Sequence, residues 1–320
     1  MQRLTSRLRR LFGAEQPPPP APRNKALWAI GIFAGSSPLA LREDPAFPGA
    51  AITREDVTDV PTAFVADPFL APIDGTWHMF FELLNRRNGR GEIGLATSSD
   101  LASWTYQRVV LAEPFHLSYP QVIEWNGAHY MIPESHQTRT IRLYRAEPFP
   151  TRWTLIHTLL SGRVFSDATL FRHDDRWWML TETSEPRAHD TLRLYHAEEL
   201  EGPWTEHPAS PIVAGDPRRA RPAGRVITSD GALLRFAQDC RPRYGMAVNA
   251  YEITELTPTT FAERPAVDGA VLSGSGVEDS WNGSRMHHVD AHRVGEGRWV
   301  AAVDGARETT AADVASSIRP

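Results

Sequence analysis

Apolar residues in this chain recur in short alternating runs joined by turn dipeptides, and the runs come in sets. "VADPFLAPIDGTWHMFFE" (Val65 to Glu82) carries two such runs around Asp74-Gly75. "SYPQVIEWNGAHYMIPE" (Ser118 to Glu134) repeats the figure around Asn126-Gly127, and "FSDATLFRHDDRWWMLTE" (Phe165 to Glu182) repeats it again. Alternation with a period of two around an Asp-Gly or Asn-Gly turn predicts a hairpin of half-buried strands. Each hairpin is followed by a third alternating run that ends on tryptophan: Ile93 to Trp104, Ile141 to Trp153 and Leu192 to Trp204. A more diverged set starts at Ala220. A fifth starts at "VDAHRV", turns at Gly295-Glu296-Gly297 and returns as "RWVAAVD".

Sequential antiparallel strands in units of about fifty residues, with no long helical pattern among them, predict an all-β fold, a five-bladed β-propeller. The fifth unit runs out of chain, because "GARETTAADVASSIRP" after Val303 and Asp304 is small, polar and unlike the other third strands. "WAIGIFAGSSPLAL" (Trp28 to Leu41) shares an Ile-Gly pair and a Ser-Ser with "GEIGLATSSDLASW". The N-terminal strand is therefore expected to complete the last blade, which also removes two open sheet edges. The propeller is placed at residues 26–306 and a flexible tail at 307–320. Residues 1–25 read as a disordered segment or short basic helix ending in the linker "PPPPAP". Arg3, Arg7, Arg9 and Arg10, with Leu4, Leu8 and Leu11 at helical spacing, make residues 1–12 the place for a peripheral membrane contact.

In a propeller the first strand of each blade lines the central channel, so the front residues of the repeats face one funnel. These are Asp67, Tyr119, Asp167, Arg221 and Asp290. Charges in such a place are costly without a partner or a task. Two readings follow: a channel held by ion pairs of Arg221 or Arg225 with an aspartate, or a functional funnel. Cleaving a glycosidic bond needs one carboxyl to protonate the leaving oxygen and a second to activate water or attack the sugar. Glu82, Glu134 and Glu182 end the second strands on the same face, further from the axis, where they serve either rim solubility or sugar contacts. Glu134, after Pro133, is the alternative acid. Arg221 and Arg225 suit a phosphate or carboxylate on a substrate. "RMHHVDAH" sets His288, Asp290 and His292 on one strand face. They suit hydrogen bonds to a sugar or, as an alternative, a metal ion. Trp281, in the insertion before the fifth unit, is expected to cap the funnel.

"ADPF" at the front of the first unit resembles the five-bladed folds of glycoside hydrolase family 43. That resemblance implies a general base at the front of blade one and a general acid at the front of blade three, the positions of Asp67 and Asp167. The acid there is usually Glu, and Tyr119 stands where a blade-two carboxylate is found. A fuller resemblance runs through "WAIGIFAGSSPLAL", "HLSYPQVIEWNGAHYMIPE", "LYRAEPFPTRW" and "LLRFAQDCRPRYG". These segments are similar to the N-terminal domain of the glucosamine inositolphosphorylceramide transferase family and its bacterial relatives.

Composition narrows the picture further. Hydrophobic content of 41% and charged content of 23% describe an ordinary globular chain, and a net charge of −5 gives no footprint for nucleic acid. Cys240 is the only cysteine, so no intrachain disulfide forms. No apolar run approaches the roughly 20 residues of a membrane span. With the front carboxylates and the two resemblances, the expectation is a cytoplasmic, carbohydrate-active enzyme without nucleotide or redox cofactor, acting on a carbohydrate or glycoconjugate. Glycoside hydrolysis is the first expectation and glycosyl transfer the second. A non-catalytic glycan-binding propeller is the third, kept open by Tyr119.

Overall fold

Each set of alternating runs forms one antiparallel sheet, and the five sheets are the blades of a β-propeller. The structure is a computed structural model that describes residues 26–309. Blade one runs through Thr62–Ile73, Thr76–Asn85, Arg90–Ser98 and Thr105–Leu111. Blade two runs through Ser118–Trp125, Ala128–Glu134, Thr140–Ala146 and Trp153–Ser161. Blade three has Ser166–His173, Arg176–Glu182 and Thr191–Ala197, edged by two short strands, Thr205–Glu206 and Val213–Ala214. Blade four has Ile227–Ser229, Ala232–Asp239 and Ala247–Leu256, edged by Phe261–Pro265 and Leu272–Ser273.

Blade five closes the ring as its sequence implies. Val289–Gly295 and Arg298–Glu308 are its inner strands, and Ala26–Gly35 is the third, in unbroken register from Ala26↔Glu308 to Gly35↔Trp299. The last strand thus runs through Glu308. The expected N-terminal segment and the rest of the expected tail lie outside the described residues.

The core is a ring of inter-blade interfaces rather than one central mass. Ile30, Ile32 and Val300 of blade five pack on Val65, Met79 and Phe81 of blade one. Phe80 and Leu95 of blade one pack on Val122 and Met131 of blade two. Equivalent clusters join blades two and three, three and four, and four and five. The recurrent tryptophans belong to this packing. Trp104, Trp153 and Trp204 each donate an indole N–H to a nearby upstream carbonyl, of Leu101, Pro150 and Leu200 at 2.8, 3.0 and 3.1 Å. Indole N–H groups in such partly buried positions need an acceptor.

Ring closure makes a direct prediction. Removing Met1 to Pro22 takes away no residue of the closing strand, so that variant is expected to stay soluble and unfold cooperatively. Removing Met1 to Leu41 strips Arg298–Glu308 of one of its two partners and opens an apolar edge, which invites association. Size-exclusion chromatography with thermal unfolding checks both. A soluble, cooperatively folded protein lacking Trp28 to Leu41 would contradict the closure.

Candidate functional site

The mouth of the channel is built by one device used three times. In blade one the register passes from Ala66↔Glu82 to Phe69↔Phe80, so the inner strand carries one residue more than its partner. Ser118↔Glu134 to Gln121↔Ile132 does the same in blade two, and Ser166↔Glu182 to Thr169↔Leu180 in blade three. Each step is a β-bulge, which re-aims the side chain it carries. The re-aimed residues are Asp67, Tyr119 and Asp167, with φ of +53°, +48° and +51°. Non-glycine residues take this left-handed conformation at a cost of about 1–2 kcal/mol. Three in register mark a built site.

A glutamate late in each of these second strands stands beside the bulge, paired with the residue just before it. Glu82, Glu134 and Glu182 are 6%, 5% and 1% exposed, so they are not rim residues; the bulges draw them into the wall of the mouth. Gln238 in blade four and Asp304 in blade five take the matching place and are fully buried. Glu82 faces His116 at 3.1 Å, and Glu182 accepts hydrogen bonds from the Ser184 backbone N–H, at 2.7 Å, and from its hydroxyl.

Arg221 organises one side of the mouth. Its Nε and Nη2 donate to Asp167 at 2.6 and 3.2 Å, a bidentate pair, and Nη2 also reaches Glu134 at 3.3 Å. Gln238 Nε2 donates to Asp167 at 2.8 Å, and the Asp167 backbone N–H donates to Glu134 at 3.1 Å. His189 accepts from Arg221 Nη1 at 3.1 Å; burial, then the charges of Arg221 and Arg187, push this imidazole down to about 4. Two carboxyls therefore share one guanidinium. Burial opposes the charge on Glu134, but the His136 hydrogen bond and Arg221 hold it well below the usual carboxylate range. Burial pushes Asp167 up; the guanidinium works against this and Glu134 works with it.

Asp67 stands apart. No hydrogen bond reaches its carboxyl among the described residues, although it is only 5% exposed. The nearest basic atoms are His287 Nε2 at 3.9 Å and His288 Nδ1 at 4.0 Å. Burial first, then the charges of Asp167, Glu82 and Asp304, push the Asp67 carboxyl well above its ordinary value. Asp304 holds the other side of His287, with Nδ1 2.7 Å from one carboxylate oxygen, and accepts the Asp67 backbone N–H at 3.0 Å. Trp28 stacks on the His287 ring at 4.0 Å. One atom each from Asp67, His287 and Asp304 lies within 4.8 Å of the others, a spacing that could hold a metal ion.

Several expected members of the mouth sit elsewhere. Tyr119, Phe69 and His288 form a fully buried aromatic plug across the channel, with ring centroids 4.7–5.3 Å apart. The Tyr119 hydroxyl takes the Gly224 N–H at 2.7 Å and bonds Thr169 at 2.7 Å, so it cannot face a sugar in the funnel. The plug requires glycine at 224: at φ +129°, a Cβ there would lie 1.8 Å from the Val289 carbonyl oxygen. Asp290 and Arg225 lie on the far side of the plug. Asp290 is fully buried, accepts the Leu70 N–H at 2.7 Å and pairs with His292 at 2.9 Å and with Arg225. His288, Asp290 and His292 are therefore not gathered as a ligand set, and Arg225 is already paired. Trp281 does not cap the funnel. It lies over blade five, where Gly31 and Gly305 leave room for its ring and Phe33 meets it edge-on.

The five-bladed propeller thus carries, in a mouth walled by carboxyls, a buried aspartate whose carboxyl has no hydrogen-bond partner among the described residues. The chain belongs to the family described as "Glucosamine inositolphosphorylceramide transferase 1, N-terminal", which residues 21–306 match. A relative of that name from Oryza sativa subsp. japonica is 36% identical over 305 residues, covering 89% of this chain and 41% of the relative. The one from Arabidopsis thaliana is 33% identical over 306 residues, covering 90% and 40%. The chain thus spans about two fifths of the length of these curated relatives. Among solved structures, the fold is similar to a β-1,2-mannobiose phosphorylase from Listeria innocua, with a TM-score of 0.60, 11% identity and coverage of 90% and 99%. It is also similar to the RS223 β-xylosidase, with a TM-score of 0.59, 14% identity and coverage of 78% and 88%.

Proposed function

We propose that the funnel is the active site of an enzyme that transfers a glycosyl unit, with Asp67 delivering the proton to the leaving oxygen. The observation that carries this reading is the difference between its two front aspartates. Asp67 is buried, unbonded and pushed toward its protonated form, while both oxygens of Asp167 are engaged by Arg221. Groups whose environments differ in this way take different roles in acid–base chemistry. Hydrolysis asks for a second free carboxyl to activate water. Transfer to an acceptor that is already a nucleophile, such as phosphate, does not. Arg187, half exposed and 3.4 Å from Glu134, is the cation at the mouth that an anionic acceptor would meet. The relatives named transferases and the neighbour named a phosphorylase support this class.

Hydrolysis, with Asp67 as base and Asp167 as acid, is the second reading. It rests on the burial that also pushes Asp167 up while Glu134 keeps the charge. Incubating aryl glycosides with and without inorganic phosphate, and identifying the sugar product, separates the two. Transfer predicts a glycosyl phosphate and little free sugar. Free sugar at a rate indifferent to phosphate supports hydrolysis and overturns the first reading. No turnover of any glycoside, with tight binding of one, leaves a binding propeller in place of both.

A further inference from the structure

The second and third strands of blade four are joined by residues 240–246, a loop that leaves just past Gln238 and brings Tyr244 to the mouth. Tyr244 touches both clusters there. The Arg221 guanidinium, which holds Asp167, lies 5.0 Å over the Tyr244 ring. His287, which faces Asp67 and Asp304, meets that ring edge-on at 5.2 Å, and His189 lies 5.3 Å away. The loop is held in place. Met246 donates its N–H to the Asp239 carbonyl at 2.9 Å, and Arg241 donates its N–H to the Asp239 carboxylate at 2.8 Å. Arg285 donates to the Tyr244 carbonyl at 3.3 Å. Glycine is required at 245: at φ +70°, a Cβ there would lie 2.8 Å from the His287 ring.

We propose that Tyr244 selects the transferred sugar, its hydroxyl bonding one ring hydroxyl of the glycosyl unit beside Asp67. This rests on the funnel being the active site. The side chain is half-buried, and its hydroxyl has no hydrogen-bond partner among the described residues and is not sealed from solvent. The Tyr119 hydroxyl, by contrast, is spent within the plug. Arg221 and two histidines surround the Tyr244 ring, so the ring is no stacking platform and the hydroxyl is its free part. Loss of water pushes the phenol well above its ordinary value; Arg221 works against this, and the charges of Asp167 and Asp67 work with it. The group is therefore a neutral O–H within the field of both aspartates. It both donates and accepts, as a sugar hydroxyl does. An anionic acceptor would meet the two aspartates here, so the contact falls to the sugar. A donor fixed in advance costs little ordering on binding. A site built to bond a substrate hydroxyl discriminates against the analogue that lacks it.

The 4-nitrophenyl glycosides of glucose, mannose, galactose and N-acetylglucosamine, with inorganic phosphate present, identify the sugar that the full chain turns over. The monodeoxy derivatives of that glycoside then locate the contact. Tyr244→Phe keeps the ring with its Arg221 and histidine contacts and removes only the hydroxyl. It is expected to lower kcat/KM on the intact sugar by about tenfold, the value of one neutral hydrogen bond. One deoxy derivative should show that loss already in the parent and no further loss in Tyr244→Phe, the signature of a direct contact. Thermal unfolding confirms that the fold is kept. A Tyr244→Phe variant within about twofold of the parent on every substrate, less than one hydrogen bond is worth, would overturn the proposal. So would an equal loss on the intact sugar and on all its deoxy derivatives, which would mean that the hydroxyl serves the protein. Turnover that Asp67→Asn abolishes and Tyr244→Phe leaves untouched overturns this inference alone. A parent that turns over none of the glycosides overturns it together with the funnel's assignment.

Discussion

Arg221→Ala is expected to destabilise the protein by about 3–5 kcal/mol, the usual result of removing one partner from a buried ion-pair network. The side chains of Arg221, Asp167 and Glu134 are only 7%, 2% and 3% exposed, so water cannot replace the lost guanidinium. Three hydrogen bonds to the two carboxyls go with it, at 2.6, 3.2 and 3.3 Å. Adding Asp167→Asn to Arg221→Ala removes the buried acid that the guanidinium balanced, and the double variant should regain part of the loss. Urea unfolding of the two single variants and the double variant measures this. The sequence left Arg221 two roles, an ion pair with an aspartate or a contact to an anionic substrate; its partners Asp167 and Glu134 make it an internal counter-ion. A loss below about 1 kcal/mol, the range of an exposed pair, would contradict that role.

Asp67→Asn is expected to have the largest effect on function, a loss of about 10²–10⁴-fold in turnover, which is the contribution of a positioned acid or base. It is also expected to make the protein more stable as pH rises. A carboxyl whose folded value is raised binds its proton more tightly in the native state than in the unfolded one. Stability therefore falls as pH climbs from the ordinary aspartate value of 3.8 toward the raised one, because the native state must ionise a buried acid. Asparagine removes that penalty, so the gain in melting temperature over the parent should be small in acid and larger near neutrality. Asp290 has the opposite sign. Burial opposes its charge, but Arg225 and His292 hold it far below the usual range. Its contribution is full above the ordinary aspartate value and is lost only as pH falls toward the depressed one.

The repeat, the blade count and the strand that closes the ring were all legible in the chain. Period-two alternation records which face of a strand is buried, and Trp28 to Leu41 carries that pattern far from its partner strand. The convergence of Asp67 and Asp167 was legible too, since front residues of a repeat occupy equivalent places. Tyr119 shares the bulge of Asp67 and Asp167, but its hydroxyl is spent on Thr169 and Gly224. Arg225 lies ahead of its inner strand and pairs with Asp290. Asp290 was misplaced because depth along the channel depends on where each inner strand is bulged. Alternation does not report that insertion. Blades one to three take it at their front residues, whereas Asp290 lies in the regular ladder opposite Ala302. Asp304 and Gln238 were overlooked, although a signal existed: each is the polar residue that follows the apolar run of its second strand, as Glu82, Glu134 and Glu182 are. The His287–Asp304 pair and the His189–Arg221 contact join residues 17 and 32 positions apart, and no local pattern announces them.

The role of Asp67 is tested most directly by varying the leaving group. Turnover of aryl glycosides graded in leaving-group acidity, from plain phenyl to dinitrophenyl, should be compared for the parent, Asp67→Asn and Asp167→Asn. A leaving group that departs without a proton bypasses a missing acid. If Asp67 donates the proton, Asp67→Asn should lose phenyl glycoside turnover and recover most of it with dinitrophenyl, while Asp167→Asn shows no such selective recovery. An Asp67→Asn variant equally impaired with every leaving group, with recovery seen in Asp167→Asn instead, would contradict the assignment.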